Sequence, residues 1–213
     1  MNTEEYLTIG KYPQKNKVSS DPIEWRILNR DDRYALLMSR YALITAPYCD
    51  MKLVNEDLKY QEWRYSVARE ACGRFFDEAF SESEKARIPL WKTVNGDDSC
   101  EDRVFLLSEE QLLKFMPEPQ TRKAMPTECA IAAGARLGWT EDTKAYTSWW
   151  VLPENNPMLC GRIFSASHKE YHREIYPKAV FQNGEISFHG RNCYHSDFTI
   201  RPCILYRLDE NDT

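Results

Sequence analysis

The residues best able to do chemistry collect late in the chain: His168, His172, His189 and His195, with Cys160, Cys193 and Cys203. On a helix His168 and His172 would share a face, as zinc requires, and Cys193 and His195 could complete a tetrahedral set. The glutamate of the metalloprotease motif is missing from its place, however, and the spacing from His189 through Cys193 to His195 matches no standard ligand pattern. No metal and no cofactor are expected, and these histidines read as surface residues. A nucleophile among the three cysteines, activated by His189 or His195, would depend on a meeting in space that spacing does not establish. The acidic pairs Asp31 and Asp32, Asp97 and Asp98, and Glu109 and Glu110 are adjacent in sequence. They fall in turns or first helical turns, where the helix dipole already accounts for negative charge. Gly134, Gly138, Gly161, Gly184 and Gly190 form neither a phosphate loop nor a dinucleotide fingerprint, which argues against ATP and NAD.

Binding is the better reading of the same region. Tyr171, Arg173, Arg191 and Tyr194 are the residue types that dominate interface hot spots, where arginine supplies multidentate contacts and tyrosine a rigid, amphipathic ring. Trp149 and Trp150 offer faces that could stack on a sugar, and residues 154–156 carry oxygen atoms of the kind calcium sites use. The expected binding residues are therefore Trp149, Trp150, Tyr171, Arg173, Arg191 and Tyr194. A protein partner is the first expectation, a carbohydrate the second, and an enzyme with a late Cys/His centre the third.

The elements that must position these residues follow from periodicity. Residues 6–9, 23–28 and 34–39 are β-prone, and the alternation of Trp25 and Ile27, and of Tyr34, Leu36 and Met38, predicts a hairpin. Residues 10–22 read as a polar loop and 41–63 as a structured loop. Ser66 caps a helix whose apolar face holds Val67, Ala71, Phe75, Phe76, Ala79 and Phe80, despite a cost of about 1 kcal/mol for Gly73. Ser81 with Glu84, and Ser108 with Gln111, have capping-box spacing. Residues 97–102 read as an acidic turn and 104–107 as a central strand. Thr127 caps a helix expected to run to Leu137 and end at Gly138. Asn183 and Gly184 predict a type I′ hairpin, and residues 200–207 a closing strand in which Pro202 marks an edge, a bulge or a strand start. Trp25, Leu36, Phe76, Phe105 and Ile204 are expected in one core.

Strands, then helices, then strands indicate an α+β fold, a single domain over residues 1–213 with a long, loop-rich excursion at 153–199. With 213 residues, a core large enough to hold without staples is available. The formal charge of -5, from 28 basic and 33 acidic residues, gives no positive field for nonspecific nucleic-acid or anionic-membrane binding. No apolar run reaches membrane-spanning length, and the first ten residues lack the pattern of a secretory signal. Seven cysteines, odd in number and without a Cys-x-x-Cys pair, fit reduced thiols in the cytoplasm.

Several separated motifs, taken together, resemble a known family. They are Pro22 to Leu28, Ala35 to Tyr41, Trp63 with Ser66 and Arg69, Phe76 to Glu84, Asp102 to Glu110, Pro126 and Thr127 with Ala130 and Gly134, Trp149 with Trp150, and Ile200 to Ile204. In this order they resemble an uncharacterised bacterial domain family common in gut Firmicutes, found free or as a module of surface proteins. That family is distantly similar to the C-type-lectin-like fold of formylglycine-generating enzymes and retroelement-diversified variable proteins. The resemblance implies a C-type-lectin-like mixed sheet with packed helices and a binding surface in the carboxy-terminal part. The chain departs from the family pattern at Ala71 to Gly73 and after Trp150, where an arginine and a glycine are replaced. Cys193 and Cys203 do not align with the copper-binding cysteines of the enzymes. The resemblance says little about activity, and the reading of the chain as a whole is recognition rather than catalysis.

Overall fold

A computed structural model describes residues 5–95, 98–153, 177–187 and 192–209. Strands β1 (Tyr6–Tyr12), β2 (Asp21–Arg30) and β3 (Tyr34–Ser39) form an antiparallel meander. Next come β4 (Ile44–Thr45), α1 (Met51–Glu56), 3-10 turns at Leu58–Gln61 and Trp63–Tyr65, α2 (Val67–Ala79) and α3 (Glu82–Lys85). The middle holds β5 (Trp91–Asn95), β6 (Asp98–Asp102), α4 (Glu109–Phe115), α5 (Pro119–Arg122) and α6 (Glu128–Ala132). The last strands are β7 (Trp149–Trp150), β8 (Ala179–Val180), β9 (Thr199–Ile200) and β10 (Cys203–Arg207). One antiparallel sheet has the order β1-β2-β3-β10, a second, mixed sheet the order β4-β9-β7-β8, and β5 pairs with β6. The fold is α+β, and among the described residues no helix is long and apolar enough to cross a membrane.

The first sheet is buried on both faces at β3, where alternate residues point to opposite sides. Ala35 and Leu37 enter a core with Trp25, Trp63, Phe75 and Ile204, whereas Leu36 and Met38 enter another with Phe105, Leu112, Met116 and Cys203. This corrects the expectation of one core. Leu36 pairs with Leu205 and Leu37 with Ile204, so Leu36 and Ile204 lie on opposite faces. Phe76 is half-buried at the edge of the first core.

Local signals held where they rested on side chain to backbone bonds. Ser66 Oγ accepts from Arg69 N at 3.1 Å and starts α2. Both capping boxes form, Ser81 with Glu84 and Ser108 with Gln111. The helix from Thr127 stops earlier than expected. Gly134, at φ 107°, ends it, because Gly134 N donates to Ile131 O and Ala135 N to Ala130 O, the paired bonds of a Schellman cap. At the second hairpin Gly184 has a positive φ and Asn183 does not, so the turn is a three-residue loop with glycine in the left-handed position rather than type I′. Residues 98–102, expected as a turn, pair with β5. Residues 104–107 are buried but form no strand, and of the four only Phe105 bridges, to Cys203. The segment 41–63 contains β4, α1 and a 3-10 turn.

The chain passes between the two sheets at Arg201 and Pro202. Arg201, 3% exposed, donates from Nη2 and Nε to Ser39 O at 2.9 and 3.2 Å, while Ser39 N donates to Pro202 O at 2.9 Å. Cys49 and Cys193 form a disulfide with a Cα–Cα distance of 5.3 Å, correcting the expectation of wholly reduced thiols. Pairing of β4 with β9 brings the two cysteines together across a sequence separation of 144, which no local spacing could reveal.

Truncating the fully buried Phe105 to Ala should cost about 3–5 kcal/mol in equilibrium denaturation, and Phe76→Ala clearly less. Gly184→Ala should destabilise strongly for a different reason. A Cβ there would lie 1.9 Å from Pro119 O, and its positive φ disfavours any side chain.

Candidate functional site

The structure places the tryptophan pair in the interior rather than on a surface. Trp149 is 1% and Trp150 0% exposed. Trp149 Nε1 donates to Arg122 O at 3.1 Å, and the Arg201 guanidinium lies 5.2 Å from its ring centroid. Trp150 Nε1 donates to Ala46 O at 2.9 Å, with Tyr48 and Phe198 against its ring. Adjacent in one strand, they serve the two different cores. Neither ring has a face left for a partner or a sugar. Tyr171, Arg173 and Arg191 lie outside the described residues, as do His168, His172, His189, Cys160 and residues 154–156.

Tyr194 is on the surface, 46% exposed, and its neighbours form a continuous group. Asn192 Nδ2 donates to the Tyr194 hydroxyl at 3.0 Å. The His195 ring stacks on Phe198 at 5.0 Å and lies 6.0 Å from the Tyr194 ring. Asp197 faces His195 Nδ1 at 3.5 Å and Arg136 Nη1 at 3.6 Å, and Arg136 N donates to Asp197 O at 3.0 Å. The Arg136 guanidinium in turn covers the Trp139 ring, 4.8 Å from its centroid. Trp139 is 82% exposed. Trp139, Arg136, Asp197, His195 and Tyr194 thus form one surface, fixed by the Schellman turn on one side and the Cys49–Cys193 disulfide on the other. Sequence reasoning missed Trp139 and Arg136. The available signal was a lone tryptophan in the polar stretch 138–144.

The cysteine chemistry weighed from sequence is constrained by the same geometry. Cys193 is committed to a disulfide, so in this state it is neither a metal thiolate nor a nucleophile. Desolvation pushes the buried Cys203 thiol up to about 12, and burial raises that of Cys72 as well, so neither presents a thiolate at neutral pH. Among the described residues no three His, Cys, Asp or Glu side chains are placed to hold a metal ion. A groove beside α2 is lined by Arg64, Arg69, Arg74 and Arg103, but each guanidinium is engaged within the chain. Arg64 binds Ser99 O, Arg69 binds Asp102, Arg74 binds Glu70 and Arg103 binds Ile88 O.

No family model matches the chain, and neither a curated protein nor a solved structure matches it.

Alkylation of the native protein with iodoacetamide near pH 8 should modify the half-buried Cys129 well before Cys72 or Cys203. Cys49 and Cys193 should label only after reduction. Peptide mapping by mass spectrometry checks both statements, and prompt labelling of Cys203 would contradict the burial that raises its thiol.

Proposed function

We propose that this chain is a non-catalytic recognition module that binds a protein partner through the surface formed by Trp139, Arg136, His195 and Tyr194. The observation that carries this reading is the state of Trp139. It is 82% exposed, and the guanidinium that lies over its ring forms an ion pair with Asp197. A large exposed ring has much apolar area to bury on binding. Trp, Tyr and Arg are also the residues that concentrate binding energy at interfaces. The mixed signs of Arg136 and Asp197 suit a polar protein surface better than a polyanion.

The C-type-lectin-like reading belongs to the same proposal. It is supported by the position of the first and last strands, β1 and β10, in one antiparallel sheet, where they form the two edges. The disulfide favours an oxidising compartment over the cytoplasm that the cysteine pattern suggested.

A photo-crosslinking residue at position 139, in extract of the native host, should capture a discrete protein that the same residue at position 18 does not. Val18, 97% exposed, serves as the remote control. Arg136→Ala and Tyr194→Ala should each weaken that complex by more than about 1 kcal/mol, with melting temperature nearly unchanged because both side chains are half-exposed. Capture equal at both positions, or undiminished in both variants, would refute the assignment.

A further inference from the structure

A second surface shares no residue with the one above. It is a cleft of about 730 Å³ lined by residues of β3, β10, α4 and β5 and by members of both cores. Leu36, Leu106 and Leu152, all nearly buried, form its apolar floor with Leu205 beside them. Trp91 forms one wall. Its ring stacks on the fully buried Phe105 at 5.1 Å and 11°, which backs one face of the indole, and the side chain is only partly buried.

The polar rim is built by specific local structure. The register of β2 against β3 shifts between Ile27 and Asn29, so Leu28 and Asn29 together oppose Leu36. Without that bulge Asn29 would oppose Ala35 and point to the first core. With it, the amide faces the cleft, the re-aiming for which bulges recur beside functional sites. Asp31 Oδ1 accepts from Arg33 N and Tyr34 N, both at 2.8 Å, and these bonds hold its carboxyl below the usual range. Gln111 Oε1 is fixed by Ser108 N at 2.9 Å in the capping box, which leaves the NH2 end as the donor this side chain can give. Lys92 and Lys114 balance Asp31 and Glu110 around the rim.

We propose that this cleft binds a neutral saccharide. An apolar floor beside a backed indole suits the C–H face of a pyranose ring, and amides, carboxylates and ammonium groups together serve hydroxyls, which both donate and accept. The balanced charge gives no preference for an anion or a cation, and the volume lies within the range of small-ligand sites. This inference does not rest on the protein-recognition reading, and the two fail separately.

The test is calorimetric titration of the full chain with cellotetraose, mannotetraose, chitotetraose and maltotetraose, together with a printed array of bacterial-wall and host glycans. At least one should bind and shift tryptophan fluorescence. Trp91→Ala should weaken that binding at least about tenfold and Asn29→Ala about fivefold, one lost hydrogen bond. Because Trp91→Ala removes a partner of Phe105, Trp91→Phe and the exposed Asn29→Ala carry the test if it unfolds. Trp139→Ala should leave saccharide affinity unchanged. Affinity should also be insensitive to salt, since the ligand carries no charge. Silence across the whole panel, binding unaffected by both Trp91→Phe and Asn29→Ala, or binding abolished by salt would overturn the proposal.

Discussion

The buried guanidinium of Arg201 is the interaction on which the arrangement of the two sheets depends. The chain leaves the first sheet after β3 and enters the second at β4, and it returns from β9 to β10 across the same boundary. At that boundary strand hydrogen bonding lapses, and the carbonyls of Ser39 and Arg40 need other donors. Arg201 supplies them, at 2.9 and 3.4 Å from Nη2, and its flat face rests on Trp149. Pro202, which lacks an N–H, sits at the one step where no ladder donor is required. A charged side chain 3% exposed is costly unless it is hydrogen-bonded, and the bonds from Nε and Nη2 to the two carbonyls offset that cost.

The two cores follow from the crossing. With β10 beside β3, each residue of either strand is committed to one face, and period two divides Leu36 from Leu37 and Cys203 from Ile204. The second sheet divides Trp149 from Trp150 in the same way. A carboxylate does comparable work across the first core, where Asp102 accepts from Trp63 Nε1 at 2.8 Å and from Arg69 Nε at 2.7 Å. The 3-10 turn, α2 and the β5–β6 hairpin are thereby held to one another. Among the described residues, this framework leaves at the surface the Trp139 group and the cleft beside Trp91.

What was legible in the sequence was what local bonds decide. Ser66, Ser81, Ser108 and Thr127 each cap a helix because hydroxyl and backbone N–H lie three residues apart, within reach in any sequence so spaced. The first hairpin was legible because its alternation is the core pattern itself. Features set by distant pairing were hidden. The tryptophan pair looked like a binding platform because sequence carries no sign of burial on both sides of a two-residue strand. The bulge at Leu28, the Cys49–Cys193 pair and the early stop at Gly134 depend on register, fold or a competing glycine. Trp139 was overlooked since an isolated exposed ring has no period.

The disulfide has a consequence for how the molecule tolerates change. Any cut in the backbone between Cys49 and Cys193 leaves both pieces covalently joined, so β9 and β10 cannot diffuse from the sheets they complete. A severed carboxy-terminal piece would stay at the high local concentration of a tethered segment and return to β3 and β4 as an intramolecular event. Strand β10, which joins the two sheets, is therefore held by a covalent link as well as by its ladder with β3.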